Sequence, residues 1–340
     1  MKNPNRLKHI IWSDAIRIVA VFSVIVLHNA AAGSEYFGAR TVEWQICNFY
    51  NSIVRFAVPV FVMVSGMFLL DPAKEYDIKK LYCTKILRIV TAYLFWSAFY
   101  SLISIGGHRQ LSGLFGYTGI HNNSIVHSIL IGPFHLWFLF MISGLYIVTP
   151  FLRVIVKDER LTLYFFACSL VFVCGTSLVN LFPAMRKIVE LTITRLDVNL
   201  LASFSGYYVW GNWLSRHRLQ AFVRKIIYLM GAFSAIGTVV LNGYAGYHYN
   251  VPRQLMYGHH LPNILMMSKH YLSFASIVLK QSIYPHGSLE LLLLLANIVL
   301  ESFLYMFSFW KFCIKLDFRI FSIILLCLFL FFLLLCFYSA

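Results

Sequence analysis

The chain has 340 residues, of which 60% are hydrophobic and only 12% are charged. Because soluble domains carry roughly a quarter of charged residues, this composition excludes a soluble globular enzyme and is typical of a protein surrounded by membrane lipid. The net charge of +15 would suggest nucleic-acid binding in a soluble domain, but in a membrane protein excess lysine and arginine retain loops on the cytoplasmic side, and we predict no nucleic-acid partner.

Apolar segments of helix-spanning length follow one another along the whole chain. The first, Trp12–Ala32, is predicted to be an uncleaved helix, although its short apolar centre also resembles a cleavable signal peptide. The others are Phe49–Leu70, Ile86–Ile105, Phe134–Leu152, Leu161–Phe182, Val198–Leu214, Ile226–Leu241, Leu261–Tyr284, Ser288–Trp310 and Phe318–Ala340. We therefore expect an all-α fold: one domain over residues 1–340, built as a polytopic transmembrane bundle of about ten helices.

The basic residues favour one orientation of this bundle. With the N-terminus in the cytoplasm, four basic clusters fall on the cytoplasmic side, as the positive-inside rule requires. They are Lys2–Lys8, Lys74–Arg88, Arg153–Arg160 and Arg216–Lys225. The longest connections on the other side are predicted at Gly33–Asn48, Gly106–Pro133 and Asn242–His260, where they either line a polar cleft or cap helices.

Two polar residues lie on one face of the first predicted helix. Arg17 and His28 are eleven positions apart, so they share a face and are separated by roughly 16 Å along the axis. Ionisable side chains inside a membrane are costly and usually face a cavity or a partner, so this stripe indicates a polar channel. A snorkelling arginine and an interfacial histidine are the alternative. Asp14, one turn before Arg17, is predicted to orient the guanidinium through an ion pair.

The second predicted span carries an arginine within an apolar run. Arg55 requires a partner at such a position. Pro59 removes one helical hydrogen bond and predicts a kink in the span. Gly66 permits the close approach of another helix.

Two cations lie at the start of the third predicted span. Lys85 and Arg88 are three positions apart and therefore share a helix face. Such a pair could bind phosphate groups, or it could be an ordinary cationic anchor at the membrane surface.

The fourth predicted span begins with His135 and Trp137. Tryptophan is expected at a membrane interface, where it anchors the helix. His135 is predicted to lie at about the same depth as His28, so the two imidazoles could share acid–base work near neutral pH. The seven cysteines are irregularly spaced, which predicts neither a metal site nor a disulfide framework.

Four blocks of the sequence resemble the signature of the acyltransferase family 3 membrane proteins. These blocks are Arg17 and His28 with ten residues between them, Arg55–Gly66, Lys85–Arg88 with lysine in place of the usual first arginine, and Phe134–Leu139. The sequence is most similar to the subgroup that O-acetylates enterobacterial common antigen and other surface polysaccharides.

The resemblance is not uniform along the chain. It is strongest over residues 12–153, whereas residues 251–340 depart from the family pattern. The family often carries a tyrosine and a histidine close together on a late helix, and Tyr284 and His286 are the nearest counterpart here.

The resemblance implies a membrane O-acetyltransferase of the bacterial cytoplasmic (inner) membrane. The donor would be acetyl-coenzyme A, a substrate and not a tightly bound cofactor, and the acceptor a hydroxyl of a surface polysaccharide or its lipid-linked sugar precursor. His28 would be the general base for this hydroxyl, or would briefly hold the acyl group, with His135 assisting. The expected acyl-coenzyme A site is Arg17, Lys85 and Arg88, and the residues expected to stabilise anions or the structure are Asp14, Arg55 and Trp137.

Two other functions fit the same residues. A transporter or flippase for a lipid-linked sugar also uses intramembrane charges and a polar stripe, and it predicts no acyl transfer. An inactive relative with a structural role would account for the unusual segment 251–340.

Overall fold

The computed structural model describes residues 4–105, 125–132, 136–179, 203–217 and 219–250, together with residues 191, 195–196 and 198–201. Within these ranges the secondary structure is helical and contains no strand. The chain is therefore an all-α membrane protein, as predicted. The described residues group into two compact units, one drawn from Met1–Asp71 and Ile155–Trp310 and the other from Pro72–Val154. The single domain over residues 1–340 and the count of about ten helices stay predictions.

The helices follow one another along the chain with short connections. They are α1 (Pro4–Tyr36), α2 (Val42–Ile53), α3 (Ala57–Leu69), α4 (Ile78–Lys80), a π-helix (Leu81–Ile86), α5 (Leu87–Ile105), α6 (Ile125–Ile131), α7 (Trp137–Ile155), α8 (Glu159–Val179), α9 (Ser205–Arg216) and α10 (Ala221–Tyr249). Three segments of the described residues are long and apolar enough to cross a membrane, namely Val42–Leu69, Trp137–Ile155 and Ala221–His248.

A tight turn joins α1 to α2. Thr41 caps α2, because its hydroxyl accepts a hydrogen bond from the amide of Trp44 at 3.3 Å. Such a cap stabilises a helix by about 1 kcal/mol. The predicted connection Gly33–Asn48 was too long, since α1 continues to Tyr36 and α2 already begins at Val42.

The second predicted span is interrupted between α2 and α3. Val54–Phe56 form a turn, closed by a hydrogen bond from the Ala57 amide to the Val54 carbonyl at 3.1 Å. Pro59 consequently lies in the first turn of α3, where its missing N–H leaves no helical hydrogen bond unmade. The structure thus replaces the predicted kink with a break, and Arg55 lies in that break.

The helices α3 and α9 pack backbone against backbone. Gly66 of α3 faces the backbone of Tyr208, and Gly211 of α9 faces the backbone of Met63. A Cβ atom at either glycine would overlap a carbonyl oxygen of the other helix. The predicted role of Gly66 in close helix approach is confirmed. We call this contact the glycine seam.

The span predicted at Val198–Leu214 is wrong over its first half. The helix α9 begins only at Ser205, and residues 198–201 form a turn. Its 12 residues extend about 18 Å, which is less than the roughly 30 Å hydrocarbon core of a bilayer. The spans predicted at Leu261–Tyr284, Ser288–Trp310 and Phe318–Ala340 lie outside the described residues.

The second unit is held together by hydroxyl groups of α5. The Tyr93 hydroxyl donates to the carbonyl of Leu130 at 2.8 Å, and Ser97 donates to the carbonyl of Ile129 at 2.5 Å. Both acceptors are at the end of α6, just before Gly132, whose φ of +65° is readily adopted only by glycine. The sequence predicted Gly106–Pro133 as one connection, but its last part contains α6.

Candidate active site

The helix α1 carries two of the predicted site residues within one continuous element. Arg17 is half-buried, and its guanidinium carbon lies 5.1 Å from the ring centroid of Phe68 on α3. This distance is typical of a cation–π contact. His28, eleven residues further along, is half-buried and lies on the part of α1 nearer to α2. The two residues therefore have different surroundings at the two ends of the same helix.

The break in the second span brings Arg55 to His28. The guanidinium of Arg55 lies close enough to the imidazole of His28 to act on it electrostatically. The Nε atom of Arg55 also donates a hydrogen bond to Oδ1 of Asn51 at 2.8 Å. Asn51 is fully buried, with 0% of its surface exposed. The partner that the sequence predicted for Arg55 therefore exists, and it is formed by residues of α1 and α2.

The sequence analysis missed the polar face of α2. Asn48, Asn51 and Ser52 are all buried, and Ser52 donates a hydrogen bond to Oδ1 of Asn48 at 3.3 Å. These residues recur with Gln45 and Arg55 at three- and four-residue spacing, which places them on one side of a helix. That spacing was the available signal, but residues up to Asn48 were assigned to a connection.

The polar face of α2 also contacts α10. Asn48 donates to the carbonyl of Val239 at 2.9 Å, and Gln45 donates to the carbonyl of Gly243 at 3.1 Å. Just before α2, Arg40 donates to the carbonyl of Tyr247 at 3.0 Å. The three acceptors are four residues apart and form one stripe on α10. These bonds fix the position of α2, and with it the position of Asn51 and Arg55.

The basic pair lies in the second unit. Lys85 is near the end of the π-helix, Arg88 is in the first turn of α5, and both side chains are half-buried. π-Helical segments are rare and are frequent at functional sites. The expected cluster of this pair with Arg17 stays a prediction, because Arg17 belongs to the other unit.

The remaining predicted site residues are described only in part. Trp137 is the first residue of α7, is 43% exposed, and makes an edge contact with Phe138. Asp14 lies in α1, but its side chain is outside the described residues. His135 also lies outside them. The ion pair of Asp14 with Arg17 and the joint action of His135 with His28 stay predictions.

The family model of the acyltransferase domain matches residues 10–340. The chain belongs to acyltransferase family 3. It is accordingly a membrane acyltransferase, and the match includes α1 together with all other described helices. Neither a curated protein nor a solved structure matches the chain.

The geometry around His28 suits acyl transfer. An imidazole can accept a proton from a hydroxyl group or attack a thioester itself. A fixed cation beside it can stabilise the negative charge that develops on the carbonyl oxygen during the reaction. Arg55 is fixed in this way by Asn51, so His28, Arg55 and Asn51 form the candidate active site of this acyltransferase.

Proposed function

We propose that this chain is an O-acetyltransferase of the bacterial inner membrane, with its N-terminus in the cytoplasm. It transfers an acetyl group from cytoplasmic acetyl-coenzyme A to a hydroxyl of a surface polysaccharide or of its lipid-linked sugar precursor. The observation that carries this proposal is the contact of His28 with an arginine that a buried asparagine holds in place. Membership of the acyltransferase family supports it.

In this proposal His28 is the general base. Its imidazole takes the proton of the acceptor hydroxyl, and the hydroxyl oxygen attacks the carbonyl carbon of the thioester. The new C–O bond forms, the C–S bond breaks, and the proton passes from the imidazolium to the leaving thiolate. Arg55 stabilises the oxyanion between these two steps. A transient acyl-imidazole on His28 is the other route, and mass spectrometry of the trapped protein distinguishes it.

Lys85 and Arg88 are proposed to bind the donor. Coenzyme A carries several phosphate groups, and cations three positions apart on a helix can bind them together. The π-helical turn at Lys85 supports a binding role, since such turns are frequent at functional sites. Arg17 is proposed to contribute to the same site from α1.

The first experiment measures acetyl esters on surface polysaccharide. Hosts expressing the intact chain, its His28→Ala variant or neither are compared by NMR before and after mild base treatment. We expect base-labile acetyl only with the intact chain, because loss of a general base slows transfer by about 10²–10⁴-fold. Normal acetylation by the His28→Ala variant would sink the assignment of His28.

A matched control variant lies beside His28. Asn29 donates its side-chain amide to the carbonyl of Ile25 at 2.8 Å, within its own helix. Asn29→Ala therefore removes a polar group from the same depth of α1 without touching Arg55. We expect this variant to acetylate normally and to accumulate in the membrane as well as the His28→Ala variant does.

A transporter of lipid-linked sugar is the second candidate function. The break between α2 and α3 favours it, because transporters often bind their substrates at interrupted membrane helices. A transporter would move the sugar without acetylating it. Acetyl ester that depends on His28 would exclude transport as the sole activity.

A further inference from the structure

A buried arginine lies at the end of α7, outside the candidate active site. Arg153 is only 8% exposed, although arginine is almost never fully buried unless it is paired. Its Nη2 atom donates a hydrogen bond to the carbonyl of Lys74 at 2.7 Å. Its guanidinium carbon lies 4.7 Å from the ring centroid of Tyr76. We call these two contacts the Arg153 clasp.

The clasp holds the connection that precedes the basic residues. Lys74 and Tyr76 lie in the non-helical segment before α4, and Asp77 caps that helix by accepting a hydrogen bond from the Lys79 amide at 2.9 Å. From there α4, the π-helix and α5 continue without a gap. The segment Lys79–Arg88 thus starts two residues after Tyr76, and fixing Tyr76 fixes the point from which this segment runs.

The chemistry of the clasp requires arginine. One edge of the planar guanidinium donates to a carbonyl while its face lies over an aromatic ring, which the compact ammonium group of lysine does not reproduce. Burial raises the pKa of the Tyr76 hydroxyl, whereas the Arg153 charge acts in the opposite direction. Tyr76 is therefore neutral at physiological pH, and the contact is that of a cation with a ring and not that of an ion pair.

We propose that Arg153 is a positioning residue for the anionic donor. By clasping Lys74 and Tyr76 it sets the position of the basic segment Lys79–Arg88, which includes the proposed phosphate-binding cations Lys85 and Arg88. The proposal rests on the proposed function for the identity of the donor. The clasp itself rests on the contacts alone.

The test compares Arg153→Met with a matched control in the full chain. Arg216 also lies at the end of a helix and donates through Nη2 to a backbone carbonyl, that of Val156, at 3.0 Å. It is exposed and belongs to the other unit. Arg216→Met therefore removes the same type of bond without touching the basic segment.

Three quantities are measured on the purified proteins: hydrogen exchange of residues 72–88, the Kd for coenzyme A, and kcat and KM with acetyl-coenzyme A. For Arg153→Met we expect exchange to accelerate at least tenfold, and Kd and KM to rise about tenfold, with kcat within twofold of the intact chain. For Arg216→Met we expect all three to stay within twofold. A purely structural role would lower the thermal stability of both variants without raising KM.

Two results would overturn the proposal. One is unchanged exchange in Arg153→Met, which would show that no clasp holds the segment. The other is faster exchange with unchanged Kd and KM, which would show that the clasp does not position the donor site. An intact chain that binds no coenzyme A would instead overturn the proposed function, and exchange, which needs no donor, would still decide whether the clasp exists.

Discussion

The two halves of the broken second span, α2 and α3, are held by opposite kinds of contact. The helix α2 presents buried amides, and two of its side chains, Gln45 and Asn48, donate to carbonyls of α10. The helix α3 is apolar, with Val62, Met63 and Val64 fully buried, and it packs on α9 through the glycine seam. Polar bonds therefore define where α2 lies, whereas shape alone defines where α3 lies.

This difference separates position from chemistry. The turn between the halves carries Arg55, which bonds to Asn51 on the polar half and acts on His28. The apolar half contributes no polar group to this contact, and its glycines set only the spacing of two helices. Changes in α3 should therefore alter the stability of the protein, whereas changes at the end of α2 should alter its activity.

The largest effect is expected on the apolar half. Gly66→Ala adds one methyl group where a Cβ atom would overlap the backbone carbonyl of Tyr208. Because backbone cannot rotate away as a side chain can, we expect the free energy of unfolding to fall by about 3 kcal/mol. Thermal unfolding of the purified protein measures this loss, and its accumulation in the membrane should fall in parallel.

Gly237 of α10 supplies the control for that prediction. A Cβ atom there would meet no heavy atom within 4 Å. Since alanine favours a helix over glycine by about 1 kcal/mol, Gly237→Ala should leave the protein as stable or slightly more stable. Equal destabilisation by both substitutions would contradict the glycine seam, because it would show that space at Gly66 is not the cause.

The sequence predicts the apolar half better than the polar half. The pattern around Gly66 already indicated a close helix contact, and the long apolar run before Arg153 predicted α7 to within a few residues. These features are local, since they depend on residue size and hydrophobicity along one segment. The break at Val54–Phe56 was not predicted, because a proline can kink a helix or begin a new one.

The candidate site was predicted only at its two charged members. His28 and Arg55 stand out because ionisable groups are rare within membrane spans. Asn51 does not stand out, since an asparagine near the end of a predicted connection has nothing unusual about it. Its importance arises from burial and from its bond to Arg55, and the position of α2 depends on a partner 191 residues away in the chain.

An intermediate effect is expected at Asn51. Asn51→Leu keeps the volume of the side chain but removes the oxygen that accepts the hydrogen bond from Arg55. A hydrogen bond to a charged group contributes about 1.5–3 kcal/mol, so we expect kcat/KM to fall by about ten- to a hundredfold. Initial rates of acetyl transfer by the purified chain measure this loss.

The Asn51→Asp variant sharpens the interpretation. It restores an acceptor oxygen at the same position, so it should recover most of the rate lost in Asn51→Leu. Recovery would show that the oxygen orients Arg55, whereas equal loss in both variants would show that Asn51 contributes only through packing. Arg55→Met should lose at least as much activity as Asn51→Leu, because it removes the guanidinium itself.

The smallest effect is expected at Asn48, one turn before Asn51 on the same helix. Asn48→Leu removes the bond to the carbonyl of Val239 and the acceptor for Ser52. Hydrogen bonds between membrane helices contribute only about 0.6 kcal/mol on average, since the separated helices find other partners. We therefore expect a small decrease in thermal stability and a kcat/KM within about twofold of the intact chain. Loss of activity as large as that of Asn51→Leu, with stability unchanged, would extend the candidate site along α2. It would also contradict the division of this span into a part that places α2 and a part that orients Arg55.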